Sequence, residues 1–240
     1  MKAKSMFLFF MASAVLPIVL AFRCNRNIQK SNIQKDLPAP KEIALPVPVY
    51  KSQTSVEEAL QKRRSVRRYQ DEPLEMKEIS QLLWAAQGIT SEADGGRTAP
   101  SAGALYPLEI YLASGEINTL APGVYRYIPA GHTLSLLAEG DVREALTAAA
   151  HLQGSVNRGA AVIIIAAEYS RTTRKYGERG IRYVQLEAGH AAQNICLKSV
   201  SLQIGTVTIG SFNDSRVKEI LNMPENQQPL YLMPVGKRKD

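Results

Sequence analysis

The densest chemistry in the 240-residue chain is the run Lys62-Arg63-Arg64-Ser65-Val66-Arg67-Arg68-Tyr69. Five cations within seven positions repel one another unless an anion neutralises them. Arginine forks match phosphate oxygens in pairs, and Ser65 adds a hydroxyl donor. The run reads as an anion cradle, against the plainer alternative of a solvated basic surface. Nucleic acid fits it poorly, because the bases recur nowhere else at this density and few aromatics interleave with them.

Most other catalytic patterns are missing. No Gly-x-Gly-x-x-Gly follows a strand, and no Gly-x-x-x-x-Gly-Lys-Ser/Thr marks a nucleotide loop. Neither His-Glu-x-x-His nor a Gly-x-Ser-x-Gly elbow occurs. Glu187 and His190 form one Glu-x-x-His, the unit that di-iron bundles use in duplicate with further carboxylates. One copy does not make that site, so no metal is expected. Cys24 and Cys196 supply neither a disulfide framework nor a Cys-x-x-Cys zinc hook.

The elements that must position these groups alternate between helix and strand. Ser55 with Glu58 forms a capping box for a short helix to about Lys62. Met76, Ile79, Leu82, Leu83 and Ala86 recur at helical spacing after Pro73, with Gly88 as the residue past the end. Thr90 to Ser101 is a polar loop. Leu108 to Ala113 alternates as a strand, and Val124–Ile128 with Leu134–Leu137 forms a hairpin around Ala130-Gly131. Asp141 caps a helix to about Ala150. Ala161 to Ala167 is a β-branched run typical of a strand covered on both faces. A long helix spans Ile181 to Leu202, Thr206–Ile209 is a strand, Asp214 opens a helix, and Leu230–Val235 closes the fold. The pattern is α+β rather than a regular parallel array. Ala188, Ala191, Ala192 and Ile195 form a small-residue stripe suited to close helix approach.

With 45% hydrophobic and 21% charged residues the chain can bury a sizeable core. Its length suits one domain plus an appendage. Residues 1–22 supply the appendage: Lys2 and Lys4 precede an uncharged run from Ser5 to Phe22, as in an export signal. Val19-Leu20-Ala21 offers a cleavage site, although the run is also close to the roughly 20 residues of a membrane anchor. Arg23 stands where lipid attachment at Cys24 wants a small residue. Losing Lys2 and Lys4 takes the net charge from +7 to +5, so the basic excess belongs to the body of the chain. Residues 23–51 hold Pro38, Pro40, Pro46 and Pro48 and read as a stiff tether, with the domain at 52–240. The expected location is exported (periplasmic or otherwise extracytoplasmic), or anchored at the membrane through the N-terminal segment alone.

Several separated motifs now fall into one order. Arg63-Arg64-Ser65-Val66-Arg67, Pro100-Ser101-Ala102-Gly103-Ala104-Leu105-Tyr106-Pro107 and Glu187-Ala188-Gly189-His190-Ala191-Ala192-Gln193-Asn194 resemble the FMN-dependent nitroreductase superfamily. Lys175-Tyr176-Gly177-Glu178-Arg179-Gly180 and Leu230-Tyr231-Leu232-Met233-Pro234-Val235-Gly236 are most similar to its SagB-type branch, the thiazole/oxazole-forming peptide dehydrogenases. The likeness runs from about Ser55 to Lys237.

The resemblance implies a central mixed β-sheet flanked by helices, an intertwined homodimer, and FMN as cofactor. By it, Arg63, Arg64, Ser65 and Arg67 grip the FMN phosphate, and Ser101 and Gly103 lie against the flavin from the partner subunit. Thr208-Ile209-Gly210-Ser211-Phe212 passes the ring, with the amides of Gly210 and Ser211 near its polar edge; Thr208 stands where the family has proline. Lys237 and Arg238 add phosphate contacts or are solvated tail cations. Lys175 and Tyr176 form the catalytic pair, a lysine beside Arg174 and Arg179, or a phenol, taking the proton while the flavin takes hydride. The small-residue stripe becomes a dimer contact. The implied substrate is a small molecule or a peptide, handled by ping-pong hydride transfer through flavin N5. The rival readings are an NAD(P)H-fed nitro or quinone reductase and a non-catalytic flavin-binding module.

Overall fold

The computed structural model describes residues 42–239, so the leader and most of the tether expected from the sequence lie outside it. Among the described residues no helix is long and apolar enough to cross a membrane. The framework is a seven-stranded sheet ordered β1-β4-β3-β2-β5-β7-β6. Its strands are β1 (Glu42–Ala44), β2 (Leu108–Ser114), β3 (Gly123–Ile128), β4 (Thr133–Glu139), β5 (Ala161–Ala167), β6 (Ile204–Thr206) and β7 (Gln228–Lys237). Every ladder is antiparallel, which corrects the expectation of a mixed sheet within an otherwise α+β fold.

Central β5 is buried at all seven positions because its alternate residues feed two cores. Ala161, Ile163, Ile165 and Ala167 face one core, and Val162, Ile164 and Ala166 the other. The first core is closed by α2 (Met76–Gln87) and α6 (Arg179–Ser201), whose apolar residues recur at helical spacing. The second is closed by α3 (Arg143–Ala149) and α7 (Asp214–Ile220). Each fully buried isoleucine contributes roughly 1.5–3 kcal/mol, so β5 and the strands beside it form the most rigid part of the molecule.

The remaining α-helices among the described residues are α1 (Val56–Lys62), α4 (Ser155–Arg158) and α5 (Ser170–Tyr176). Ser55 caps α1 by accepting from Glu58 N at 3.1 Å, which is one half of the expected capping box; the Glu58 carboxylate does not reach back and pairs instead with Lys62 at 2.6 Å. Gly88 ends α2 in an extended rather than left-handed conformation. Its value there is room, since a Cβ would stand 2.1 Å from Trp84 Cδ1. Two expectations shift. The sheet begins before Ser52, because β1 pairs with β4 inside the stretch read as tether. The strand expected at Thr206–Ile209 ends at Thr206, with Ile209 making only an isolated bridge to Leu232.

Candidate active site

The arginine segment leaves α1 and crosses the free edge of the sheet. Val66 N donates to Thr206 O at 2.8 Å, and Tyr69 bridges to Arg238. Gly205 and Gly236, paired across β6 and β7, make that contact possible. A Cβ on Gly205 would stand 2.6 Å from Val66 Cγ1, and one on Gly236 2.9 Å from Tyr69 Cβ. Tyr69 buries its ring over the glycine pair and donates to Val66 O at 3.1 Å. Burial pushes its phenol well above the ordinary range, while Arg158 and Arg67 pull the other way. Packing Val66 and Tyr69 inward turns Ser65, Arg67 and Arg68 outward into solvent.

The resulting cluster is unneutralised. Arg64 donates to Gln61 O and Arg63 O, both at 2.8 Å, bracing the end of α1. Burial pushes the Cys196 thiol on α6 up, while Thr208 and the half-buried Arg63 pull the other way. Arg158, from the end of α4, reaches Arg67 O at 3.4 Å. Among the described residues none of Arg63, Arg64, Arg67, Arg68 and Arg158 joins an ion pair. Sequence reasoning missed Arg158, which stands alone in its own stretch and joins the cluster only through the fold.

At the other end of α6 the Pro-Ser-Ala-Gly loop meets the Lys-Tyr pair. Gly103 takes φ +66° inside a 3₁₀ turn, Ala102–Ala104. A Cβ there would lie 2.7 Å from Tyr176 Oη and 2.9 Å from Lys175 Nζ, so glycine is required for shape as well as for backbone. Lys175 and Tyr176 form the last turn of α5, which Gly177 ends at φ +58°. Tyr176 stacks edge-on against Tyr183 of α6 at 5.2 Å. Ala104 and Tyr106 also have positive φ, 54° and 44°, a local strain of about 1–3 kcal/mol each. The surroundings hold it: Tyr106 N donates to Ser101 Oγ at 2.9 Å, Arg171 donates to Tyr106 O at 3.1 Å, and Arg97 covers the Tyr106 ring at 4.4 Å. Asn194 pins the start of the loop to α6 through Thr98 O at 3.0 Å.

Glu187, read from sequence only as half of a metal motif, is buried to 3% exposure beside this loop, while His190 is exposed. Burial pushes its carboxyl up to about 7, against opposing pulls from the Ser101 hydroxyl and Arg97. Gly210 and Ser211 follow β6, exposed, with Ser211 O held by Gln153 Nε2 at 3.0 Å. Their amides donate to no described group. Lys237 departs from its expected phosphate role, because its ammonium is paired with Glu78 Oε1 at 2.6 Å. The stripe Ala188, Ala191, Ala192 and Ile195 is core of its own chain, at most 4% exposed, and so is not a dimer contact. The outward face of α6 carries Ile181 and Leu186 instead, 44% and 53% exposed.

One protomer does not bring the two clusters together. Arg63 sits by Cys196 and Tyr176 by Tyr183, thirteen residues apart on α6, or about 20 Å along the axis. An open cavity of about 640 Å³ lined by Tyr50, Trp84, Tyr127 and His132 lies away from both clusters, whereas one of about 550 Å³, lined by Lys62, Gln70, Lys237 and Arg238, adjoins the arginine segment.

Comparison with known proteins agrees with this geometry. The model of the Nitroreductase family matches residues 60–237. A Methanocaldococcus jannaschii protein described as a nitroreductase is 48% identical over 183 residues, covering 76% of this chain and 91% of its own. The microcin B17-processing protein McbC of Escherichia coli is 24% identical over 176 residues, covering 70% of this chain and 64% of its own. The crystal structure of a Ralstonia eutropha protein described as a nitroreductase superposes with a TM-score of 0.74 at 28% identity, covering 85% of this chain and 95% of that one.

Proposed function

Because the chain belongs to the nitroreductase family of oxidoreductases, we propose that it is an FMN-dependent enzyme acting as a homodimer, with one flavin per site. The observation that carries this reading is the unneutralised cluster of Arg63, Arg64, Arg67, Arg68 and Arg158, laid on a rigid sheet edge by the Gly205–Gly236 pair. A phosphate dianion is the ligand such a cluster fits. Arg63, Ser65 and Arg67 would hold it, with Arg64 bracing the helix end behind them. The free amides of Gly210 and Ser211 suit the polar edge of an isoalloxazine ring. Bound FMN would supply a two-electron carrier that takes hydride at N5 in one half-reaction and releases it in the next, the ping-pong scheme.

The protein handles the proton. Lys175 Nζ and Tyr176 Oη converge on Gly103, so a substrate hydrogen lost as a proton has a nitrogen or a phenol oxygen within reach. The exposed Ile181 and Leu186 on α6 offer an apolar face that a second copy could cover, which supports the dimer; such a dimer would set one chain's arginines near its partner's Lys-Tyr pair. The likeness to a microcin-processing protein supports a peptide substrate dehydrogenated at carbon. A second reading, reduction of nitro or quinone acceptors by NAD(P)H, is favoured by the relative described as a nitroreductase.

The full chain should purify yellow and release FMN on denaturation, identified by chromatography. FAD as the extracted chromophore, or a protein that takes up no FMN, would overturn the proposal. Residues 1–22 are proposed as the export or anchoring signal. Protease added to spheroplasts, with the outer envelope opened and the inner membrane intact, should then reach the domain, and protection until the inner membrane is lysed would overturn that proposal.

A further inference from the structure

The helix that carries the Lys-Tyr pair has little of its own to hold it in place. α5 is seven residues long and buries a single side chain, Thr172, whose hydroxyl finds no partner among the described residues. A helix that short does not persist on its own strength. It leans on α6 where Gly180 makes room, since a Cβ there would stand 2.9 Å from Thr173 Cα. That contact sets the approach of the two helices and leaves the loop around Gly103 unfixed.

Arg171 supplies the missing tie. Its guanidinium uses all three nitrogens: Nη1 donates to Tyr106 O at 3.1 Å, Nε to Glu168 Oε2 at 3.0 Å, and Nη2 to Glu109 Oε1 on β2. Ser170, the other α5 side chain with a hydrogen bond, stays local and donates to Glu168 at 2.8 Å. Glu168 N donates to Pro107 O at 2.9 Å, so two successive loop carbonyls are taken by the segment that opens α5. Tyr106 needs that hold. It is a bulky residue at φ 44° and it precedes a proline, which crowds the helical regions further. Arg97 covers its ring but not its backbone. Turning Tyr106 back to an ordinary φ would break its N–H bond to Ser101 Oγ and release the turn that carries Gly103.

Lys175 follows Arg171 by one helical turn, so both lie on one face of α5. We propose that Arg171 is a positioning residue that fixes Gly103 against the Lys175–Tyr176 pair by holding Tyr106 in its left-handed conformation. The inference goes beyond the flavin reading above and rests on it only for the chemistry that the pair performs.

The Arg171 charge also separates Glu109 from Glu168, whose side chains are 16% and 17% exposed, so the test must keep a cation. Arg171→Lys does, but one ammonium cannot match a fork that serves three acceptors. Amide exchange of the full chain, read by mass spectrometry, should quicken about tenfold over residues 101–107 and 170–177, the loss of one charge-assisted hydrogen bond. Exchange in β5 should not change. With FMN bound and oxygen excluded, a synthetic thiazoline peptide should bleach the flavin, losing hydride to it and a proton to the pair as its ring becomes a thiazole. At saturating peptide Arg171→Lys should slow that step about 10- to 100-fold, the cost of a small misplacement, with half-saturation and FMN affinity nearly unchanged.

Tyr106→Asn separates this role from plain stabilisation, because asparagine accepts positive φ more readily than tyrosine. In that background Arg171→Lys should cost less than about threefold in loop exchange and in bleaching, since two residues acting through one conformation are not additive. An equal penalty in both backgrounds, unaltered loop exchange, or faster exchange in β5 would each overturn the inference. If Arg171→Lys folds only together with Tyr106→Asn, that rescue is the expected result, and failure to fold in both backgrounds overturns it. A wild type that takes up no FMN, or that the peptide does not bleach, would sink the flavin or the peptide reading instead. Exchange in the two backgrounds then decides the role of Arg171 by itself.

Discussion

The two ends of α6 solve different problems by different means. At the end near Cys196, an exposed arginine segment is laid flat on the sheet edge over two glycines, with no carboxylate to quench it. At the end near Tyr183, a strained loop is clamped from several sides around Gly103, and a buried acid sits behind it. The first end supplies charge, which acts over several ångströms and tolerates loose side chains. The second supplies position, which proton transfer needs to within a hydrogen-bond length. Affinity should therefore depend on the arginine end and turnover on the Lys-Tyr end, and substitutions can separate them.

The largest effect should come from the Lys-Tyr end. Lys175→Ala and Tyr176→Phe should lower turnover of a substrate that loses a proton by about 100- to 10,000-fold, the reach of a positioned acid or base. FMN affinity should be nearly unchanged, because neither side chain belongs to the arginine cluster. Steady-state kinetics beside a flavin titration reads both. NAD(P)H-driven reduction of a nitroarene needs no such base, so equal loss in that assay would mean structural damage. No loss in either assay would make the pair a packing feature of α5.

The buried acid at the same end should be visible in stability alone. The Glu187 carboxyl is held at about 7 in the folded chain against an ordinary value of 4.5. Between those values the unfolded carboxyl is ionised while the folded one keeps its proton. Stability from this group is thus present below about pH 4.5 and lost as pH rises to about 7. The loss is on the order of 3 kcal/mol. His132 is lowered by burial and slopes the other way below its ordinary value, so the readout is the difference between wild type and Glu187→Gln. Urea unfolding of both proteins from pH 4.5 to 7.5 should show the slope vanish in the variant. An equal slope in both would mean that the carboxyl is ionised throughout.

At the arginine end, Arg63→Ala or Arg67→Ala each removes one charge-assisted contact worth about 1.5–3 kcal/mol. The FMN dissociation constant should rise roughly 10- to 150-fold. Riboflavin, which lacks the phosphate, should bind all variants alike. If both variants keep wild-type FMN affinity, the segment is only a solvated face and the division between the two ends collapses.

What the sequence revealed follows the same division. Five cations in seven positions are a local signal, and the segment did land where an anion can reach it. The helices with an apolar stripe, α2 and α6, were legible to within a few residues, as was β5 with its unbroken β-branched run. Ser170–Tyr176 was not, because SRTTRKY buries only Thr172 and has no apolar period to read. Three-residue β1 is too short for alternation to register, and prolines surround it. Glu187 could be placed on a helix but not in its environment, because a carboxyl's neighbours at positions 97 and 101 come from another part of the chain. Arg158 was invisible for the same reason. The small-residue stripe was read correctly as a close contact and assigned to the wrong surface, since periodicity says that a face is buried and not what buries it.

The smallest effect should come from the residue on which sequence and structure disagree most directly. A lysine after Val235-Gly236 suggested a phosphate contact, yet Lys237 Nζ lies 2.6 Å from Glu78 Oε1. The Glu78 side chain is only 9% exposed, and its other oxygen accepts from Glu75 N at 2.8 Å to cap α2. Moving Lys237 to a ligand would strand a carboxylate that is nearly out of water, a cost that one more phosphate contact does not offset. Lys237→Met keeps the aliphatic stem and removes the charge. It should change the FMN dissociation constant less than about twofold while destabilising the chain by about 1–3 kcal/mol through the unpaired Glu78. Adding Glu78→Gln should recover part of that stability, because a neutral amide needs no counter-ion. A tenfold loss of FMN affinity in Lys237→Met, with stability unchanged, would show the ammonium leaving Glu78 for the phosphate. The arginine end would then extend to the last strand of the sheet.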